Sequence, residues 1–220
     1  DMRIIKAVVD PYTTERQDVH VFFKECFMDN LHERLKDEQI AFAICPKTSD
    51  NVQDAAFNSL AFYQEPVFIV RKDDNKIAPH VQGSNFIDDL ENETFVLTPD
   101  LCGHAPATRN WFQQRGKKLC EYPGQAISYQ VMQDWAALGI ASAILPWSKI
   151  SDINRPKVSQ LFLKPETPAM IEFELLWRAN NKPNEHILAF LNHCKLRIQP
   201  IVSGLHLPAE KFVTALDLYP

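Results

Sequence analysis

The segment 98–109 (TPDLCGHAPATR) holds the densest set of groups able to do chemistry. An apolar run ends at Thr98, a turn containing Gly103 follows, and a helical pattern then begins. Open N–H groups at a helix start, together with the helix dipole, favour an anion. Cys102, Gly103 and His104 stand at that mouth, and Arg109 lies about a turn or two into the helix. The chemistry indicated is capture of a carboxylate or similar anion. An ordinary strand-to-helix turn with a structural glycine accounts for the same residues. Cys102 adds a redox reading, because a thiol at a helix start near a histidine has a lowered pKa and reacts readily. Cys120 is then the candidate resolving thiol, although cysteines that merely pack are the commoner case.

Other chemistries find no support in the spacing. His186 and His193 are seven apart on one helical pattern without a third ligand, so no metal site is expected. His32 and Glu33 begin an HExxH pattern, but Lys36 stands where its second histidine would be. No GxSxG elbow, Walker A loop or GxGxxG turn occurs, and no cofactor is implied. Asp88, Asp89, Glu91 and Glu93 read as a solvated acidic face.

The 220 residues are 45% hydrophobic and 23% charged, enough for a sizeable core in one large domain or two small lobes. The net charge is −5, and Lys and Arg form no run longer than two. Nucleic-acid binding wants a basic face, so these residues are not expected to grip DNA themselves. The five cysteines form no CxxC pair, which speaks against metal knuckles and disulfide frameworks and suits a reducing cytoplasm. No apolar run is long enough to span a membrane, and the stretch 1–10 (DMRIIKAVVD) lacks the regions of a signal peptide.

Apolar runs alternate with helical patterns, the rhythm of βαβ units in a mainly parallel sheet. Strands are expected over 4–9 (IIKAVV), 19–23 (VHVFF), 40–45 (IAFAIC), 60–63 and 66–71, the third of these buried on both faces. The polar connector 71–76 (RKDDNK) is the candidate crossover between lobes. Further strands are expected over 94–98, 119–122, 142–145, 159–163 and 171–177. Helices are expected over 28–36, 105–114, 128–138 and 184–194, with Trp111 and Phe112 inward and Gly116 closing the second. Ser128 is a good N-cap for the third, which Gly139 ends. The tail 195–220, with Pro200, Gly204 and Pro208, reads as loosely structured or packed along the surface.

Four stretches, in order, resemble the effector-binding domain of bacterial LysR-type transcriptional regulators. They are 18–46 (DVHVFFKECFMDNLHERLKDEQIAFAICP), 60–71 (LAFYQEPVFIVR), 127–150 (ISYQVMQDWAALGIASAILPWSKI) and 171–191 (IEFELLWRANNKPNEHILAFL). The resemblance implies an α/β fold of two Rossmann-like lobes joined by two crossover strands, as in type 2 periplasmic binding proteins. The lobes would be 1–71 with 172–220, and 72–171. The ligand, a small anionic metabolite in that family's manner, would bind in the cleft between them. The resemblance carries Ser128 over as the residue that meets the effector's acid group, with Tyr129 lining the same wall. Tyr12 and Thr13, following the expected first strand, would be the polar residues of the opposite wall. The same resemblance implies no catalytic residue, a homodimer or tetramer, and DNA contact only through an N-terminal winged helix-turn-helix outside this sequence. A cysteine-based redox sensor and a periplasmic solute-binding protein are the alternatives. An enzyme on a two-lobed scaffold would need a catalytic constellation, and the spacing offers none.

Overall fold

A computed structural model of the chain describes residues 2–47, 55–72, 85–155, 158–179 and 184–204. The chain divides into two compact units, residues 1–64 with 172–220 and residues 65–171. Two long strands, β2 (Phe57–Val70) and β9 (Met170–Arg178), run through both.

The first unit opens with helix α1 (Met2–Glu15), where a strand over 4–9 is expected. The helical period wins because Ile4, Val8 and Tyr12 recur at four-residue intervals, and these three, with Val9, are the buried residues of the element. Pro11 lies inside the helix, and the Thr13 and Thr14 hydroxyls bond back to the carbonyls of Val9 and Asp10. The final helix, α5 (Glu185–Gly204), packs against α1. Tyr12 meets Phe190 and His193 there, each at 5.1 Å between ring centroids. His193 Nε2 lies 2.8 Å from the Val8 carbonyl. The helix continues ten residues beyond Cys194, so the first part of the expected loose tail is ordered backbone, and residues 205–220 lie outside the described residues.

The expected strand over 19–23 does not form. The run is largely apolar, but no described strand pairs with it, and Phe22 stands 91% exposed. Helix α2 (Met28–Lys36) forms as its spacing predicts. Strand β1 (Ala43–Pro46) pairs antiparallel with β9, Ala43 opposite Leu176. Ala43 and Cys45 point into a core with Leu31, Leu35, Phe57 and Leu176, whereas Ile44 is only partly buried. The strand is therefore buried on one face, not on both.

In β2 the expected break at Gln64-Glu65 is absent, and one strand covers both expected ones. Glu65 is buried within it, accepting hydrogen bonds from the Ser148 backbone N–H at 2.9 Å and its hydroxyl at 3.0 Å. The second unit is a mixed sheet instead of a mainly parallel one. Strand β4 (Thr94–Leu97) runs parallel to β5 (Cys120–Gln125) on one side. On its other side the Val96 N–H donates to the Ser142 carbonyl and the Ser142 N–H to that of Thr94, each at 2.9 Å, which seats β6 (Ala143–Pro146) beside it in parallel. β6 and β7 (Ser159–Lys164) then pair antiparallel with β2. The short strands β3 (Asn85–Phe86) and β8 (Thr167–Pro168) join β7. Helix α3 (His104–Gln114) links β4 to β5, and α4 (Tyr129–Ala137) links β5 to β6. Phe95, Phe112, Met132, Ile144 and Leu145 fill the core between them. Gly116, at φ +66°, follows α3 in the left-handed conformation expected of a glycine stop.

The acidic run is not simply a solvated face. Asp88 pairs with Arg115 at 2.5 Å and Glu91 with Lys117 at 3.3 Å. Glu93 turns inward, binding Arg71 at 2.6 Å and the Ser142 hydroxyl, which also accepts from the Lys72 N–H at 2.8 Å. The expected connector 71–76 is thus anchored at its first two residues, and the rest of it lies outside the described residues.

Candidate functional site

Strand β4 lies between β5 and β6, so α3 leads away to one neighbour and α4 returns to the other. That reversal is a switch point, and ligands of open α/β sheets bind outside the carboxyl ends of strands at such points. Thr98 follows β4 directly at this end. It is 1% exposed, and its hydroxyl meets no hydrogen-bond partner among the described residues.

A single 3-10 turn, Asp100–Cys102, comes next, closed by the Gly103 N–H donating to the Asp100 carbonyl at 3.1 Å. Gly103 sits at φ +71°, a left-handed conformation that glycine adopts without steric cost. It offers α3 no side-chain cap. The first-turn N–H groups of His104 and Ala105 have no intrahelical acceptor, while Pro106 has no N–H to leave open.

His104 is 0% exposed, and neither ring nitrogen has a hydrogen-bond partner among the described residues. Burial alone pushes its pKa down to about 4, so the imidazole is neutral at pH 7. A neutral imidazole offers one donor and one acceptor. Its ring stands edge-on to Tyr129, with centroids 5.4 Å apart and planes at 88°. The first residues of α3 and α4 thus meet at one place.

Helix α4 is capped as its sequence predicts. Ser128 is extended, and its Oγ accepts from the Val131 N–H at 3.2 Å. Lys149 places its Nζ 5.6 Å from the Tyr129 ring centroid. Gln133 ties these parts together from within. Its amide donates to the carbonyls of Tyr129 at 3.1 Å and Lys149 at 3.0 Å. Its Oε1 accepts from the Ser151 N–H at 2.9 Å, and from the Ser151 hydroxyl and the Asn154 amide at 3.0 Å each.

Arg109 is committed elsewhere. Its Nε and Nη2 bind the two Glu121 oxygens at 2.7 and 2.9 Å, and its Nη1 binds Asp100 at 2.7 Å. Those bonds raise the guanidinium pKa and lower that of Glu121. The arginine clamps the 3-10 turn to β5. Cys102 is half-buried beside Gly103, whereas Cys120 is exposed, with its Sγ 3.6 Å from the Thr94 hydroxyl. No disulfide joins the five cysteines.

Of the residues singled out in the sequence, Gly103, His104, Ser128 and Tyr129 come together in the second unit, with Cys102 next in the chain. Tyr12 and Thr13 do not follow a strand but lie within α1 of the first unit. Tyr12 is buried, and the Thr13 hydroxyl is bonded to the carbonyls of Val9 at 3.3 Å and Asp10 at 3.1 Å. Thr98, Gln133 and Lys149 were not legible as site residues, because only the folded crossover brings them to this end of the sheet. Among the described residues, no group of three or more metal-ligating side chains could hold an ion, and no helix is long and apolar enough to cross a membrane.

The family model described as the LysR substrate binding domain matches residues 3–198. Nothing among curated proteins matches the chain. Solved structures do. The regulatory domain of CcmR from Synechocystis PCC6803, in complex with 2-PG, is 16% identical, with 89% of this chain and 91% of that one covered and a TM-score of 0.68. The effector-binding domain of QuiR, in complex with shikimate, is also 16% identical, with 89% and 90% covered and a TM-score of 0.69. An OxyR mutant from Corynebacterium glutamicum reaches a TM-score of 0.71 at 16% identity, with 91% of this chain and 61% of that one covered. At such identities the likeness establishes the fold.

Proposed function

The chain belongs to the LysR substrate-binding domain family, and from that premise we propose that it senses a small anionic metabolite at the paired starts of α3 and α4. It acts by binding, as the effector-sensing part of a regulator that contacts DNA through a separate winged helix-turn-helix. In this reading the regulator works in the cytoplasm as a dimer or tetramer.

The observation that carries the reading is the meeting of His104 with Tyr129, the first residues of two helices, at the carboxyl end of β4. Two helix starts bring open N–H groups and two positive dipole ends to one place. Lys149 adds a full positive charge beside Tyr129. Arg109 adds none, because Asp100 and Glu121 already occupy it. The ligands named for CcmR and QuiR, 2-PG and shikimate, support a small acid as the effector here.

The test is a thermal-shift screen of the protein against small carboxylates, amino acids and aromatic acids, with peroxide as a separate arm. A ligand at a hundred times its dissociation constant stabilises the fold by about 2.7 kcal/mol, a readily measured shift. The expected result is a saturable shift with an acid, lost in Ser128→Ala when each variant is compared with its own unliganded melting temperature. A flat acid screen with a peroxide response that Cys102→Ser removes would replace effector binding with redox sensing.

A further inference from the structure

Resting on that reading, we propose that the effector carries a hydroxyl group beside its acid group, and that His104 and Thr98 select for it. Two buried polar side chains stand at the carboxyl end of β4 without hydrogen-bond partners among the described residues: the Thr98 hydroxyl and the His104 imidazole. Buried polar groups are nearly always paired, and an orphan of this kind costs stability until something satisfies it. Two such orphans where two helices begin have the composition of a ligand subsite awaiting its own polar group.

The chemistry of the orphans narrows that group. Thr98 and His104 are both uncharged at pH 7, and both are enclosed. A second carboxylate or an ammonium placed against them would lose its hydration without gaining a counter-charge. A hydroxyl suits either of them, because it can donate to a bare imidazole nitrogen or accept from a threonine hydroxyl. The acid group of the same molecule then faces the open N–H groups of α3 and the cation of Lys149. Tyr129, only half-buried, is the side chain that stands edge-on to the imidazole.

The selectivity follows from the cost of leaving buried groups unpaired. A site built to bond a hydroxyl rejects the analogue that lacks it far more strongly than an apolar site rejects a missing methylene. The experiment is isothermal titration of the protein with matched pairs: lactate against propionate, malate against succinate, and 3-hydroxybenzoate against benzoate. In the wild type the hydroxylated member of the accepted pair binds at least about tenfold more tightly. In His104→Phe that advantage collapses, while the affinity for the deoxy partner stays within about twofold. Thr98→Val, which keeps the shape of the side chain, narrows the same ratio and covers the case in which the phenylalanine disturbs packing. Equal binding of both members, or a ratio that survives both substitutions, would overturn the hydroxyl selection and leave the acid site standing. Binding of no acid at all would overturn both.

Discussion

His104 makes the domain's stability depend on pH between pH 7 and pH 5. The imidazole is buried and unpaired, and its pKa is lowered to about 4 from an ordinary 6.5. The unfolded chain takes up this proton near pH 6.5, and the folded chain resists until near pH 4. Between those values the unfolded state binds more protons, so stability falls as the solution is acidified. The full displacement is worth about 3 kcal/mol, and about 2 kcal/mol of it is lost between pH 7 and pH 5. Carboxylates with ordinary pKa values are still mostly ionised at pH 5. Urea unfolding at pH 7, 6 and 5 measures the loss, and the same series on His104→Phe isolates it. Phenylalanine removes the titrating group and both orphaned nitrogens at similar volume. The variant is expected to lose about 2 kcal/mol less than the wild type across that window, and at pH 7 to lie within about 1 kcal/mol of it. Parallel pH slopes in the two proteins would refute the reasoning, since they would mean that His104 gains its proton in the folded state as readily as in the unfolded one.

Four further outcomes follow from other parts of the structure. Ser128→Ala removes the cap of α4 and should destabilise the unliganded fold by about 1 kcal/mol in urea. Arg109→Met cuts the clamp between Asp100 and Glu121, but the pairs are partly exposed; the cost should be about 1 kcal/mol and weaken in high salt, with acid binding retained. A thiol reagent should modify exposed Cys120 first and leave Cys45 and Cys194 untouched until unfolding, the Cys194 thiol being pushed up to about 12 by burial. Val8→Ala should cost about 2 kcal/mol while Lys6→Ala costs nearly nothing, because helix α1 buries position 8 and exposes position 6; a strand, which puts both residues on one face, would not separate them so sharply.

Most of the second unit could be read from the chain because its elements announce their ends locally. Ser128 caps α4, Gly116 stops α3 and Pro146 closes β6, and each signal lies within a residue or two of the boundary it sets. The first unit was harder for the opposite reason. The run 4–9 is apolar at nearly every position, so only the wider spacing to Tyr12 separates helix from strand, and Pro11 argues locally against a helix that forms anyway. The stretch 19–23 shows the converse failure. A short apolar run forms a strand only where another strand supplies the ladder, and nothing in the run itself says whether one does.

The candidate site divides along the same line. The turn glycine, the cap serine and the two first-turn residues were visible because helix starts have a local chemistry. What makes them a single site was not visible, since it depends on β6 lying on the far side of β4 from β5. That one topological choice brings α4 back across the sheet, sets Tyr129 against His104 and lets Gln133 hold the Lys149 turn in place. It also decides what Arg109 does. With β5 adjacent to β4, Glu121 comes within reach, and the arginine that seemed suited to an effector's acid group is spent on the scaffold. In the proposed reading the positive field comes from backbone dipoles and Lys149, with the uncharged His104 and Thr98 as the other polar groups at this end of the sheet. A site of that composition discriminates less by counting a ligand's charges than by asking what polar group accompanies the acid.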